Sequence, residues 1–404
     1  MNRGAPLLVA LLVVASTVTM AAAAGAATTT ETGSSTTTQS DAAAYAGAHV
    51  EFDVQGDAIA NYSVDGDPTF SAVAVQSRSE TDAGAGLDAD TDLEATTDLD
   101  GAGLSLETRA AASAEIAADS GATLSAHDNQ RGTLVVESGD DAQYVEADLA
   151  ANAEAREDGE RVVVETDGRD GSFLVVGDGE VAVDENGDVT AELGAGATLA
   201  FRSYEDGDRD DTAAYEESLI AEGSAAVEVT ADRRDGETVT DAATFGRETS
   251  AEVATTANDT VEMTIDRTTH EGTVVLTTVS EEAVGSLENL SVAVGGEAAV
   301  EASSRTELES AIGGNESRYV VVQDTQAEGQ ATVYVAVNHF SERTVTIDSA
   351  DGDGTANGSD GSDGSDGETD GDETDESDGD SVPGFGVGAT LVAMLIGTAA
   401  RLRR

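Results

Sequence analysis

The chain has 404 residues, of which 81 are acidic and 19 basic, for a formal net charge of −62. Every base is an arginine, and lysine, cysteine and tryptophan do not occur. This excludes a phosphate-backbone binder, which needs basic side chains to displace counterions. It also removes lysine nucleophiles, thiolate metal sites, disulfides and thioether lipid anchors.

In chain order, Met1-Asn2-Arg3 precedes an apolar run from Leu7 to Val14 and then small residues through Ala24-Gly25-Ala26. A basic start, a short apolar segment and an A-x-A exit are the pattern of a signal peptide, so residues 1–26 are expected to direct export through the Sec machinery. Residues 27–44, including the Thr/Ser cluster Thr28 to Thr38, are expected to form a flexible lead.

From Tyr45 onward, short alternating segments are separated by turn residues roughly every ten positions, the spacing of an all-β sandwich. Arg161 to Tyr204 shows it best, as RVVVET, SFLVV, VAV, VTAEL and TLAFRSY, with Asn186-Gly187 predicting a tight hairpin. Phe70 to Val75 and Leu104 to Ile116 read as longer strands, with Ala and Thr at many inward positions. A charged run, Glu205 to Asp211, leads into a helix over Ala213 to Glu222 with Tyr215, Leu219 and Ile220 on one face. Strands follow at Ala225 to Val229, Thr260 to Ile265 and Thr273 to Val279. A second helix is expected over Thr306 to Ile312, where Ser304 and Glu307 fit a capping box and Gly313-Gly314 supply the stop. Tyr319 to Gln323, Ala331 to Val337 and Thr344 to Ile347 complete the body. The expected fold is mainly β: two β-sandwich-like domains over 45–205 and 223–349, a few short helices, and a charged linker with a short helix at 206–222. A β-solenoid is the alternative.

Residues 350–381 are Gly, Ser, Thr and acid without a base, a composition that cannot bury a core and is expected to be a disordered, extended stalk. Residues 382–404 contain Pro383-Gly384-Phe385, an apolar stretch from Val387 to Ala400, and Arg401-Leu402-Arg403-Arg404. Counted from the Pro-Gly-Phe segment, that apolar helix just reaches the length of a transmembrane span. The terminal arginines place its far end in the cytoplasm.

The tripeptide Pro383, Gly384, Phe385, the marginal helix, the basic tail and the acidic spacer before them resemble the PGF-CTERM sorting signal of haloarchaeal surface proteins. That resemblance implies recognition by an archaeosortase, removal of the apolar tail and attachment of a lipid at the outer face of the plasma membrane. Arginine in place of lysine, carboxylates spread along the whole body and Ala, Val and Thr in place of large apolar residues resemble haloarchaeal proteins in the same way. At molar salt the Debye length falls to about 3 Å, which screens the self-repulsion of such a charge.

Asn61, Asn258, Asn289, Asn315 and Asn357 begin N-x-[ST] sequons, the acceptor pattern for N-glycosylation on an exported chain. The four histidines, His49, His127, His270 and His339, show no metal-ligand spacing. With so many acids, no carboxylate pair stands out for hydrolysis. The Gly-Ala-Gly triplets at 84, 101 and 194 lack the rest of a dinucleotide fingerprint. Asp184, Asn186 and Asp188 copy the start of a calcium loop, but Val189 and Ala195 stand where its glycine and glutamate belong, so a hairpin is preferred. No catalytic, cofactor or metal residue is nominated; the stalk acids, among them Asp351, Asp353, Asp370 and Asp372, are expected to gather divalent cations diffusely.

The sequence therefore predicts an exported, glycosylated cell-surface protein of a halophilic archaeon, held at the plasma membrane, with a structural or adhesive role beside the S-layer and no nucleic-acid partner. An extracellular envelope enzyme or an ion- or solute-binding surface domain is the alternative.

Overall fold

The computed structural model describes residues 43–349, except 56–57, 80–103, 111, 206, 208, 235, 257–258, 324–328 and 341; the side chains of residues 43, 104–110 and 255–256 are likewise not described. The signal-peptide segment, the Thr/Ser lead up to residue 42, the acidic stalk with its aspartates, Pro383, Gly384, Phe385, the apolar stretch after them, Asn258 and Asn357 lie outside these residues; the last two residues expected in the flexible lead, Ala43 and Ala44, are instead paired with β2 as the start of a strand. Among the described residues no helix is long and apolar enough to cross a membrane.

The first fifteen strands are β1 (Ala43–Ala46), β2 (Val50–Gln55), β3 (Ala58–Val64), β4 (Asp67–Ser77), β5 (Leu104–Ala110), β6 (Ser113–Ala118), β7 (Thr123–His127), β8 (Thr133–Glu137), β9 (Gln143–Leu149), β10 (Glu154–Asp158), β11 (Arg161–Glu165), β12 (Arg169–Val176), β13 (Gly179–Val183), β14 (Val189–Leu193) and β15 (Thr198–Glu205). They form a seven-stranded sheet in the order β1-β2-β3-β4-β9-β14-β13 and an eight-stranded sheet in the order β10-β11-β12-β15-β8-β7-β6-β5. One apolar core draws on both sheets, so these strands are a sandwich and not a solenoid.

Helix α1 (Asp211–Ala221) follows. The remaining elements are β16 (Ala225–Arg234), β17 (Glu237–Thr244), β18 (Thr249–Thr256), β19 (Thr260–Arg267), β20 (Glu271–Ser280), α2 (Glu281–Val284), β21 (Leu290–Val294), β22 (Glu297–Ala298), β23 (Val300–Glu301), α3 (Arg305–Glu309), β24 (Arg318–Gln323), β25 (Gln330–His339) and β26 (Arg343–Ser349). A six-stranded sheet, β17-β16-β20-β25-β24-β23, packs on a five-stranded one, β18-β19-β26-β21-β22, around a second core. Pairing is antiparallel except between β16 and β20 and between β23 and β24.

The first core depends on a few large rings. Phe70, Phe173 and Phe201 meet in one cluster, with Phe70 edge-on to Phe201 at 4.7 Å between centroids, and Tyr62 and Phe52 extend the chain of rings outward. In a sequence whose strands are mostly Ala, Val and Thr, such rings fill volume that small side chains would leave empty. Gly171 on β12 makes room for them, since a Cβ there would sit 2.6 Å from the Phe201 ring.

The alternation read between Arg161 and Tyr204 corresponds to β11 through β15. Leu104 to Ile116 is two strands, β5 and β6, in place of one long one. The hairpin at Asn186-Gly187 is a five-residue connection in which Gly187 alone takes a positive φ. There the Asp184 carboxylate accepts backbone N–H groups from Asn186 and Asp188, so this side chain builds the turn. Ser304 caps α3 by accepting from the Glu307 N–H at 3.2 Å, while the Glu307 carboxylate reaches back one residue further, to Ser303. The helix is shorter than its pattern predicts and ends at Glu309.

Candidate functional site

Strand β15 sets up the site by simple alternation. Phe201 faces the first core, so Arg202 points out of the opposite face of its sheet, yet it is completely buried. What covers it is α1 and the outer face of the six-stranded sheet. A third apolar core, with Leu174 and Ala200 from one sheet, Leu219 and Ile220 from α1, and Leu276 and Tyr334 from the other, fills the space between. The segment that reads as a charged linker thus places its helix inside the molecule.

The charges in this seam are matched across it. Arg202 donates to both oxygens of Glu228 on β16, at 3.0 and 2.8 Å, to Glu216 on α1 at 2.7 Å and to the Tyr204 hydroxyl at 2.8 Å. Arg131, in the β7–β8 loop, lies 3.0 Å from Glu228 and 3.3 Å from Glu216. Tyr334 on β25 donates to the remaining Glu216 oxygen at 2.8 Å. Next along the helix, Glu217 accepts a two-point contact from Arg209 and single contacts from Arg161 and Ser172, the last two at 2.6 Å. Burial pushes both carboxyls up, but the guanidinium groups and hydrogen bonds around them outweigh it and hold them below the usual carboxylate range.

A second set of contacts ties down the rim. Asp128 accepts the backbone N–H groups of Ala48, His49 and Val50 at 2.7–2.9 Å and an Arg234 guanidinium from β16 at 2.7 Å. Despite burial its carboxyl is held low by those three amides and the arginine. Gly47 makes this nest possible, because a Cβ there would lie 2.3 Å from the Asp128 carboxyl carbon. Beside it, His127 Nδ1 is 2.9 Å from Asp241 on β17, both buried, and Asn129 donates to the same carboxylate. Burial disfavours the imidazolium, but the Asp241 carboxylate prevails and raises its pKa.

Between these two sets the sandwiches separate and leave an open cavity of about 640 Å³. Arg131, Arg169, Tyr204 and His49 line its first-sandwich wall; Thr230, Thr278, Thr332 and Ser280 line the second.

Of the sequon asparagines, Asn61, Asn289 and Asn315 are exposed and far apart in sequence, on β3, before β21 and before β24. Asn61 donates to Asp53 at 3.0 Å. The four histidines do not converge: His49 contacts Asp65, His127 contacts Asp241, His270 donates to the Phe340 carbonyl, and His339 accepts from Arg343. Among the described residues no group of three or more His, Asp or Glu is placed to hold a metal ion. The seam residues Arg202, Glu216 and Glu228 are not evident from spacing. The available signal is composition: where bases are this scarce, an arginine inside the apolar strand TLAFRSY marks a buried partner. No protein-family model matches the chain, and no curated protein matches its sequence.

Proposed function

We propose that this is an exported cell-surface protein of a halophilic archaeon, anchored at the outer face of the plasma membrane through its C-terminal segment, with a structural or adhesive role in the envelope. The observation that carries this reading is the arrangement of its charges. Arginines 131, 161, 169, 202, 209 and 234 are consumed in ion pairs in or around the seam, all but the Arg169–Asp65 pair with a buried carboxylate. Among the described residues, most of the acids are outside these ion pairs and on the exterior. Buried pairs are screened far less than exposed ones, so a body joined this way stays joined in brine, where its exterior repulsion vanishes. A rigid two-sandwich body suits a load-bearing or presenting role, and Asn61, Asn289 and Asn315 are accessible to a glycosylating enzyme. Pro383-Gly384-Phe385 and the apolar stretch after it supply the tether, and the acidic stalk separates body from membrane.

The test has two parts. Mass spectrometry of the protein from native membranes is expected to find a C-terminus lacking Leu391 to Arg404; an intact Arg404 would replace lipid attachment with a retained tail helix. Cross-linking in intact cells at native salt is expected to capture envelope proteins. Recovery of the chain from cytosol would end the proposal.

A further inference from the structure

The geometry points to the seam cavity as a binding site for a neutral saccharide of one or two sugar units. Its second-sandwich wall is a row of hydroxyls built by strand register. Thr230 on β16 is paired with Thr278 on β20, and Thr278 with Thr332 on β25, so the three side chains stand side by side on one face. With adjacent strands about 4.8 Å apart, the row runs for about 10 Å, longer than one pyranose ring. Among the described residues none of these hydroxyls hydrogen-bonds a protein group. Leu276 and Tyr334, the preceding pair in the same register, are apolar-packed under α1, so the change to threonine coincides with the start of the cavity.

Among the described residues, two polar atoms just behind the lining are buried without a partner: the Ser280 hydroxyl and Arg234 Nε. Ser280 stands at the N-cap of α2, yet its side chain makes no capping bond.

The charges decide the ligand class. Arg131 is matched by Glu216 and Glu228, Arg169 by Asp65, and Arg234 by Asp128. A carboxylate or phosphate would find these guanidinium groups already paired and would face Glu205 on the first wall and Asp232 on the second. A neutral polyhydroxylated molecule meets donors and acceptors in alternation and disturbs no pair. About 640 Å³ lies within the range of small-molecule sites. Neutral hydrogen bonding also has the merit of surviving molar salt, where charge-based recognition fades.

The experiment is titration calorimetry on the full chain in 2–4 M KCl. The probes are glucose, galactose, mannose and N-acetylglucosamine and disaccharides of each, with glucuronate and glutamate as charged comparators. At least one neutral sugar is expected to bind, with an affinity that changes less than twofold across that salt range. The shape-conserving double variant T278V/T332V is expected to weaken it at least tenfold. T264V, on the outward face of the other sheet, should leave it unchanged. Thermal unfolding of each variant reports that the fold is retained. Absence of binding by every neutral probe at 50 mM, tighter binding of a charged comparator, or equal affinity in T278V/T332V and T264V would overturn the assignment.

Discussion

Carboxylates in two parts of this molecule behave in opposite ways. At the seam, Glu216, Glu217 and Asp128 are buried, paired and held below the ordinary range. On the outer face of the seven-stranded sheet, Glu146 and Asp148 of β9 are half-buried beside Asp184 and Asp188. Burial and those like charges raise both, Glu146 to about 7. The residue type is the same, and the difference is where the few arginines went. One region therefore holds the body together with little sensitivity to salt, while the other depends on salt to relieve its repulsion.

The largest break in this contrast comes from Arg202→Met. It leaves two buried glutamates sharing Arg131 and is expected to destabilise by about 3–5 kcal/mol in denaturant unfolding at molar salt. Adding Glu228→Leu restores one arginine to one glutamate, Arg131 with Glu216, and should recover most of the loss. If the double variant is no better than the single, the seam is held by apolar contact and the pairs are incidental.

Lowered carboxyl pKa values give stability that is full above about pH 4 and disappears as pH falls through the depressed values. Acid unfolding should therefore begin below pH 4. His127 has the opposite sign: its raised pKa contributes below its unfolded value of about 6.5 and is lost as pH rises through the folded value. His127→Gln should flatten the loss of stability that sets in as pH rises above about 6.5, as read from melting temperature against pH.

Salt separates the two regions next. Lowering KCl from molar to 0.1 M is expected to reduce the melting temperature, and E146Q/D148N should return about 1 kcal/mol of the loss at pH 8. Neutralising the outer face without any gain at low salt would place the salt dependence elsewhere. The smallest effect is that of Glu146→Gln alone. Because its carboxyl titrates near 7 when folded, ionisation costs stability as pH rises from about 4.5 to 7, and the variant should be a few tenths of a kcal/mol more stable at pH 8 and unchanged at pH 5.

Much of the fold is legible in the sequence because strand alternation is a local property. The strands from Arg161 to Tyr204, the helix after Arg209-Asp210 and the Ser304 cap can each be read from a window of a few residues. Strands β1–β3, β7–β10, β17, β18 and β21–β23 are not singled out; in β17 and β18, polar and small residues such as Thr238, Thr240, Ala242 and Ala243 give weak alternation, and their faces are settled by β16 and β19 beside them. The candidate site is less legible still. Thr230, Thr278 and Thr332 are separated by dozens of residues, and only register makes them neighbours. Glu216 and Glu217 look like two more solvated acids on a charged helix.

Taken alone, the sequence determined the β class, the positions of about half the strands, and the sharp excess of acid over arginine, since each follows from local pattern or from counting. Tertiary structure decided which of the many carboxylates receive an arginine, that α1 lies inside, and that a row of threonines lines a cavity. Those outcomes depend on which faces meet across the two sandwiches, and the free energy of a buried charge is set by its neighbours in space, which chain order does not specify.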